Sequence, residues 1–263
     1  PGEVADVIAR RYGIRGLPMT FSMACVSSSH ALVVAADLIA QKRIRRAVVV
    51  GFEPLLNLTL QGFASLLLYD PDECRPFCNR RMGMQIGEAA SCVILEESDS
   101  AAAGKSGFAF AGGHLYNDNK SLTSAGTDGE MVRGVVSRAL LKAGTEPGEI
   151  VAVKAHGTGT RDNDLSEGRG LAKVFEKHLP PVVSLKATIG HTLGAAGTVE
   201  TALWLSCLEA GVIPKSFGFA ETDPEIGFAP SQENLPAAAG AYLFTYFGFG
   251  GTCTAYVIRK MAS

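Results

Sequence analysis

The chain has 263 residues, of which 47% are apolar, with a net charge of −2. This length and composition predict one large or two modest domains with a substantial core. The near-neutral charge gives no global electrostatic reason to expect nucleic acid or an anionic membrane as partner, and the apolar stretches are interrupted by charges before they reach membrane length.

The first part of the chain alternates between predicted helices and strands. In order they are helix 1–12, strand 17–21, helix 26–39, strand 47–52, helix 57–68 and strand 89–96. The run Ala47–Phe52 is rich in β-branched residues, which is typical of a buried parallel strand. We predict a βαβ arrangement here.

One more predicted strand, 107–116, precedes the point at which the pattern restarts with helix 128–144. The predicted elements are strand 107–116, helix 128–144, strand 150–155, helix 166–177, strand 182–185, helix 194–211 and strands 241–246 and 252–259. We expect strands 89–96 and 107–116 to pair, and the last two strands to lie side by side. The sequence therefore predicts one full α/β unit and the tail of another in one compact body.

The six cysteines are scattered without the spacing of a metal site, which predicts a reducing, cytoplasmic environment. Cys74 and Cys78 share a polar loop, a spacing open to a disulfide or half a metal site. No second pair at suitable spacing accompanies them, so ordinary loop thiols are the favoured interpretation. No signal peptide is recognised.

Cys25 is the first candidate for chemistry. It lies in a turn of small residues between a predicted strand and a predicted helix, which would place its sulfur at a helix N-terminus. Free N–H groups and the helix macrodipole favour a thiolate there and can receive an oxyanion. Taken alone, such a residue is more often an inert buried thiol.

Two later loops carry histidines at the ends of predicted strands. His156 opens His-Gly-Thr-Gly-Thr at the point where open α/β sheets bind ligands, although alone it fits a structural histidine better. The segment 184–197 holds Lys186 and His191 ahead of a Gly/Ala-rich helix. A buried lysine needs a partner, and Glu200 is the nearest acidic candidate; a solvated loop charge is the alternative for Lys186.

Together these segments resemble the β-ketoacyl-acyl-carrier-protein synthases of the thiolase superfamily. The matching features are Cys25 in its turn, His-Gly-Thr-Gly-Thr from His156, Lys-x4-His from Lys186 to His191 with Gly-Ala-Ala-Gly after it, and Phe-Gly-Phe-Gly-Gly from Phe247. They occur in the family's order and at its spacing, and jointly they are highly specific.

The resemblance implies an α/β thiolase-like fold, with α-β-α-β-α layers from two pseudo-duplicated halves. Residues 1–105 would be the remainder of the N-terminal half with the nucleophile, and residues 106–263 the C-terminal half with the His/Lys/His loops. The family carries roughly another domain's worth of residues before the cysteine. We therefore expect the N-terminal half to be incomplete in this chain, and a separate chain or an associated cleaved fragment to supply the rest, since the strand before Cys25 would otherwise expose a long edge.

The resemblance also implies a role for each residue. Cys25 matches the nucleophile that takes the acyl chain from a carrier-protein phosphopantetheine. His156 and His191 match the histidines that promote decarboxylation of the malonyl extender and stabilise the enolate. Lys186 matches the lysine that orients them, and Glu200 stands where the family keeps that lysine's carboxylate partner.

The oxyanion hole is implied in the same way. Phe249 matches the residue whose backbone N–H acts together with that of Cys25, and Gly248 and Gly250 flank it so that the backbone can reach the substrate. No cofactor or metal is implied, because phosphopantetheine arrives on the partner acyl carrier protein.

The sequence departs from the family pattern at four positions. Cys78 and Met82 replace two aspartates, Met84 replaces a phenylalanine, and Cys253 replaces an asparagine. We expect a different shape near the acyl pocket and, with it, an unusual chain such as a polyene or an aryl-primed one.

A dense basic cluster follows the Cys25 helix and comprises Lys42, Arg43, Arg45 and Arg46. An acidic carrier protein could dock on Arg43, Arg45 and Arg46. A solvated charged junction between a helix and a strand is the favoured alternative, because such charge runs are common.

The sequence thus predicts a condensing enzyme that extends a carrier-bound acyl chain by two carbons in fatty acid, polyketide or polyene biosynthesis. Two alternatives are an acyltransferase without condensation and a non-catalytic subunit that sets chain length. Family members dimerise, so we expect a homodimer, or a heterodimer with a ketosynthase or chain-length-factor subunit.

Overall fold

The structure is a computed structural model that describes residues 2–16, 18–98, 107–118 and 126–262. Within these ranges the α-helices are α1 (Gly2–Tyr12), α2 (Ser27–Ala40), α3 (Asn57–Ser65), α4 (Glu130–Ala143), α5 (Arg161–Phe175), α6 (Lys186–Ile189) and α7 (Ala196–Glu209). The strands are β1 (Arg46–Glu53), β2 (Ala89–Glu96), β3 (Phe108–Asn117), β4 (Ile150–Lys154), β5 (Val182–Val183), β6 (Val212–Ile213), β7 (Leu235–Pro236), β8 (Gly240–Gly248) and β9 (Thr252–Lys260). Among the described helices, none combines the length and apolarity that crossing a membrane requires.

A mixed five-stranded sheet forms the centre, in the order β3-β9-β8-β4-β5. The pairs β3–β9 and β8–β9 are antiparallel, whereas β4 runs parallel to both β8 and β5. Side chains along β8 alternate between the two faces, as a strand requires. Leu243 packs with the core on one face, and its neighbours Tyr242 and Phe244 pack with the core on the other.

Helices cover both faces of this sheet. Helices α4 and α5 pack on one face through an apolar stripe that includes Val132, Val136 and Leu171. Helices α2 and α7 cover the other face, with Leu32 and Trp204 fully buried among the strand side chains. The antiparallel pair β1–β2 lies beyond α2 and α7.

The layers therefore run helix, sheet, helix, sheet. They match four of the five layers in the expected α-β-α-β-α arrangement. In each half a buried helix leads to an antiparallel strand pair, since α2 precedes β1–β2 and α7 precedes β8–β9. The outer side of β1–β2 is partly exposed: Val48, Val50, Phe52 and Ile94 are 36–58% accessible. The predicted α/β class is confirmed, and so are helix 128–144, strand 89–96 and the final strand pair.

Three details of the prediction are wrong. Residues 18–21 form no strand, because no described strand lies beside them; Leu17, the first residue of the predicted strand, lies outside the described residues. Strand β1 is half-exposed and antiparallel, not buried and parallel, since only one of its faces packs on helices. Strands β2 and β3 do not pair, because β2 joins β1 and β3 joins β9.

Candidate active site

Cys25 occupies a tight turn directly before α2. Ala24 has φ +48°, the left-handed region that side chains disfavour, and this reverses the chain ahead of the cysteine. The Ser27 hydroxyl closes the turn, since it accepts a hydrogen bond from the Met23 N–H at 2.8 Å and donates one to the Ala24 carbonyl at 2.7 Å. Cys25 is thereby fixed at the start of a buried helix.

The thiol of Cys25 is protonated at neutral pH, which corrects the expected thiolate. Burial raises its pKa to about 12; the charge on Lys186 opposes this rise, and the charge on Glu53 contributes to it. Only 6% of the residue is accessible. Desolvation of the sulfur therefore outweighs the position at a helix N-terminus.

A cavity of about 270 Å³ opens at Cys25. The residues that line it are Ser22, Ala24, Cys25, Ser27, Glu53, Phe63, Leu193, Gly194 and Phe249. Phe63 stacks on Phe249 with ring centroids 5.6 Å apart. Glu53, which sequence reasoning missed, accepts a hydrogen bond from the Gly194 N–H at 3.0 Å.

The Phe249 turn lies against the backbone of Cys25. A Cβ built on Gly248 would lie 3.4 Å from the Cys25 nitrogen, at ordinary van der Waals distance, so the two backbones are close neighbours. Gly250 has φ +80°, which lets the chain reverse directly after Phe249. The structure thus brings Cys25, Gly248, Phe249 and Gly250 together.

The loop that begins at His156 is held by two buried carboxylates of α5. Glu167 accepts the N–H groups of His156 and Gly157, both at 2.8 Å. Asp164 accepts the N–H groups of Thr158 at 2.9 Å and of Phe77 at 2.7 Å. Sequence reasoning missed both carboxylates. The available signal was their position three residues apart in α5, on the helix face that also carries the buried Gly168 and Leu171.

Lys186 and Glu200 form the buried ion pair that the sequence predicted. Both side chains are inaccessible, and Lys186 Nζ lies 2.6 Å from Glu200 Oε1. Lys186 also donates to the His156 carbonyl at 2.7 Å and faces His156 Nδ1 at 3.3 Å. Because an ammonium group has donors only, Nδ1 must accept, and the ring proton of His156 sits on Nε2.

His191 takes the same tautomer for a different reason. The backbone N–H of Leu193 donates to His191 Nδ1 at 3.3 Å, so that ring also carries its proton on Nε2. The two imidazoles meet edge to face with centroids 5.2 Å apart. Leu193 in addition lines the Cys25 cavity, which connects the histidine pair to the cysteine.

Both histidines are neutral at physiological pH. Burial lowers the pKa of His156 and of His191 well below the ordinary value, and the positive charge of Lys186 lowers both further. Two neutral imidazoles with Nε2–H groups are hydrogen-bond donors that suit a developing enolate or oxyanion.

Several other predicted residues lie apart from this cavity. Arg43, Arg45 and Arg46 follow the far end of α2, and Arg46 pairs with Glu96. Cys78, Met82, Met84 and Cys253 do not line the Cys25 cavity, so the expectation of an unusual acyl chain finds no support there.

Cys74 and Cys78 are free, buried thiols, and the Cys74 thiol donates to the Thr158 carbonyl at 3.3 Å. Across the part of the chain that the structure describes, no cluster of three or more His, Cys, Asp or Glu residues is arranged to hold a metal ion.

Two family models match the chain. They are the N-terminal domain of β-ketoacyl synthase over residues 2–101 and its C-terminal domain over residues 109–220. The chain is 31% identical over 261 residues to 3-oxoacyl-[acyl-carrier-protein] synthase 2 of Mycobacterium bovis, and 30% identical over 271 residues to nodulation protein E of Rhizobium meliloti. These alignments cover 95% and 99% of the chain, which spans 62% and 66% of the two relatives' lengths.

Solved structures show the same fold. The ketosynthase ApeO, in complex with its chain length factor ApeC from Xenorhabdus doucetiae, superposes with a TM-score of 0.87 at 30% identity. That match covers 98% of this chain and 64% of the solved chain.

Proposed function

This chain belongs to the β-ketoacyl synthase family, and on that basis we propose that it catalyses the decarboxylative condensation of a carrier-bound acyl chain with a malonyl unit on an acyl carrier protein. The observation that carries the proposal is the contact of two neutral, Nε2-protonated histidines next to a cavity that holds a buried cysteine. The proposed division at residues 1–105 and 106–263 is supported by the ranges that the two family models match.

The first proposed step is acyl transfer to Cys25. The sulfur attacks the thioester carbonyl of the acyl-phosphopantetheine, the carbon–sulfur bond to the carrier breaks, and the proton lost by Cys25 leaves on the released carrier thiol. Backbone N–H groups of Cys25 and Phe249 would stabilise the tetrahedral oxyanion, and the position of both residues on the lining of one cavity supports this pairing.

The second proposed step makes the carbon nucleophile. The Nε2–H groups of His156 and His191 would donate to the malonyl thioester oxygen, so that loss of carbon dioxide leaves an enolate that is stabilised without a strong base. The enolate carbon attacks the Cys25 thioester, the β-ketoacyl chain leaves on the carrier, and the cysteine sulfur takes up a proton. Lys186 and Glu200 act through His156, which they orient.

The experiment follows carbon dioxide and product mass together after the protein is mixed with acyl- and malonyl-carrier protein. Condensation gives carbon dioxide and a β-ketoacyl product, and Cys25→Ala loses that product. An acyltransferase would change mass without releasing carbon dioxide, and a non-catalytic chain-length subunit would give neither signal. Either of those results would refute the proposal.

The proposed partners are an acyl carrier protein and a second ketosynthase-like subunit. The relative named 3-oxoacyl-[acyl-carrier-protein] synthase and the complex of ApeO with its chain length factor support these two classes of partner. Carrier docking on Arg43 and Arg45 remains a prediction. These residues lie beyond the far end of α2, a helix about 21 Å long that begins at Ser27, two residues after Cys25. We expect reversal of both charges to slow acylation from carrier protein and to spare a small thioester analogue; equal effects on both substrates would refute docking there.

A further inference from the structure

A second lysine shares the buried carboxylate of the site. Lys154 ends β4 two residues before His156, and its side chain is inaccessible. Its Nζ lies 2.5 Å from Glu200 Oε2, donates to the Thr245 carbonyl at 3.2 Å, and stands 3.5 Å from the centroid of the Tyr246 ring. None of the proposed catalytic and positioning roles belongs to Lys154.

Glu200 bridges the two lysines through different oxygens. Oε2 faces Lys154 and Oε1 faces Lys186, so the carboxylate is held at both ends. An ammonium group has three hydrogens. Lys186 directs them to Glu200, the His156 carbonyl and His156 Nδ1, and its orientation therefore depends on where Glu200 is held.

We infer that Lys154 is a second positioning residue of the condensing site: it fixes Glu200, through which Lys186 holds His156 in the Nε2–H tautomer. This inference rests on the proposed function, because it assigns Lys154 a part in that same reaction. It adds to the matched residues a lysine that touches none of the reacting atoms.

Titratable groups from several helices, strands and loops face Lys154. The titratable groups that face this cluster are Lys186, Glu200, Glu167, His156, His191, Tyr246 and Tyr256. After burial and Lys186, the charge of Lys154 is a further cause that lowers the pKa of both histidines. Removal of this charge should therefore raise both histidine pKa values.

Burial lowers the pKa of Lys154 itself to about 8, against the opposing pull of Glu200. Below that pH Lys154 is charged and the histidines are held neutral most strongly. Above it Lys154 loses its proton, and Glu200 keeps Lys186 as its charged partner. The proposed coupling is therefore open to titration in the unaltered protein.

The pH profile of condensation tests the inference. Lys154→Met should shift the acid limb of kcat to higher pH by about one unit, which is a tenfold loss at a fixed pH on that limb. Lys154→Arg, which keeps the charge and can donate to Glu200, should restore the limb. Lys173→Met is the matched control, because Lys173 pairs with Glu130 at the surface, and it should shift nothing.

A merely structural role would lower kcat equally at all pH values and would give no rescue by arginine, and that result would overturn the inference. A second measurement needs neither a variant nor a substrate: ¹⁵N NMR of the histidine rings in the unaltered protein from pH 7 to 9. We expect the His156 nitrogen shifts to move with a midpoint near 8, as Lys154 loses its proton. If these shifts do not change across that range, the inference is overturned, even when Lys154→Met does not fold. If the unaltered protein forms no product, only the proposed condensation is refuted.

Discussion

Replacement of Glu200 by glutamine tests the buried charge arrangement most severely. Lys154 and Lys186 approach the Glu200 oxygens to 2.5 and 2.6 Å, and all three side chains are inaccessible. Burial raises the pKa of Glu200, but the two lysines together outweigh burial and hold that pKa below its ordinary value. The carboxylate is therefore charged at pH 7 and balances one of the two positive charges.

The expected loss of stability follows from the buried charge that Glu200→Gln leaves without a partner. Loss of one partner from a buried ion pair destabilises a protein by about 3–5 kcal/mol, because an uncompensated charge remains. Glu200→Gln takes the shared carboxylate from Lys154 and Lys186, which leaves either two buried positive charges or the cost of deprotonating Lys154, so we expect at least about 3 kcal/mol at pH 7. The penalty should shrink toward pH 9, since the pKa of Lys154 is about 8 and a neutral amine no longer needs the carboxylate.

The assay is urea unfolding of the unaltered protein, Glu200→Gln and a surface control. Glu225→Gln removes the carboxylate of the exposed Arg169–Glu225 pair, where we expect about 0–1 kcal/mol. A free energy of unfolding for Glu200→Gln within 1 kcal/mol of the control would show that Glu200 does not compensate buried charge in the folded protein. So would a penalty that grows between pH 7 and pH 9.

Three further predictions concern Cys25, Asp164 and the contact between α2 and α7. Because burial raises the pKa of Cys25 to about 12, its alkylation by iodoacetamide should keep rising with pH up to pH 11. Peptide mass mapping measures the alkylated fraction of Cys25, and a plateau below pH 9 would contradict the prediction. Asp164→Asn should cost about 2 kcal/mol in urea unfolding, since buried N–H groups lose their charged acceptor, and an unchanged unfolding midpoint would disprove that role. Gly197→Ala should destabilise strongly, because its Cβ would lie 2.1 Å from the Ser29 nitrogen, whereas Gly134→Ala in open space within α4 should stabilise by about 1 kcal/mol; equal thermal shifts for the two would show that this packing is misjudged.

Sequence patterns were most informative where one face of an element is buried. The apolar stripe from Met131 to Leu140 predicted α4, because its six apolar residues fall on one side only when the segment is helical. The β-branched run of β1 predicted a strand but not its neighbours, since strand propensity carries no information about pairing partners. The same gap explains why β2 was paired with β3 instead of with β1.

The site was predictable through its motifs but not in its electrostatics. Cys25, His156, Lys186 and His191 stand in recognisable segments, whereas the protonation state of Cys25 depends on burial that a local sequence does not reveal. Lys154 is marked in the sequence as the one charge in the otherwise apolar strand Ile150–Lys154. A charge at such a position needs a buried partner, and the sequence offers Glu200, the carboxylate already expected beside Lys186.

The central claim is that Cys25 carries the acyl chain while His156 and His191 process the malonyl unit. Its most direct test is the intact mass of the protein after incubation with an acyl-carrier protein, followed by peptide mapping and then by addition of malonyl-carrier protein. We expect one acyl group on Cys25 that disappears as carbon dioxide and a β-ketoacyl product form. An acyl group on another residue, or an acyl-Cys25 that malonyl-carrier protein leaves untouched, would contradict it.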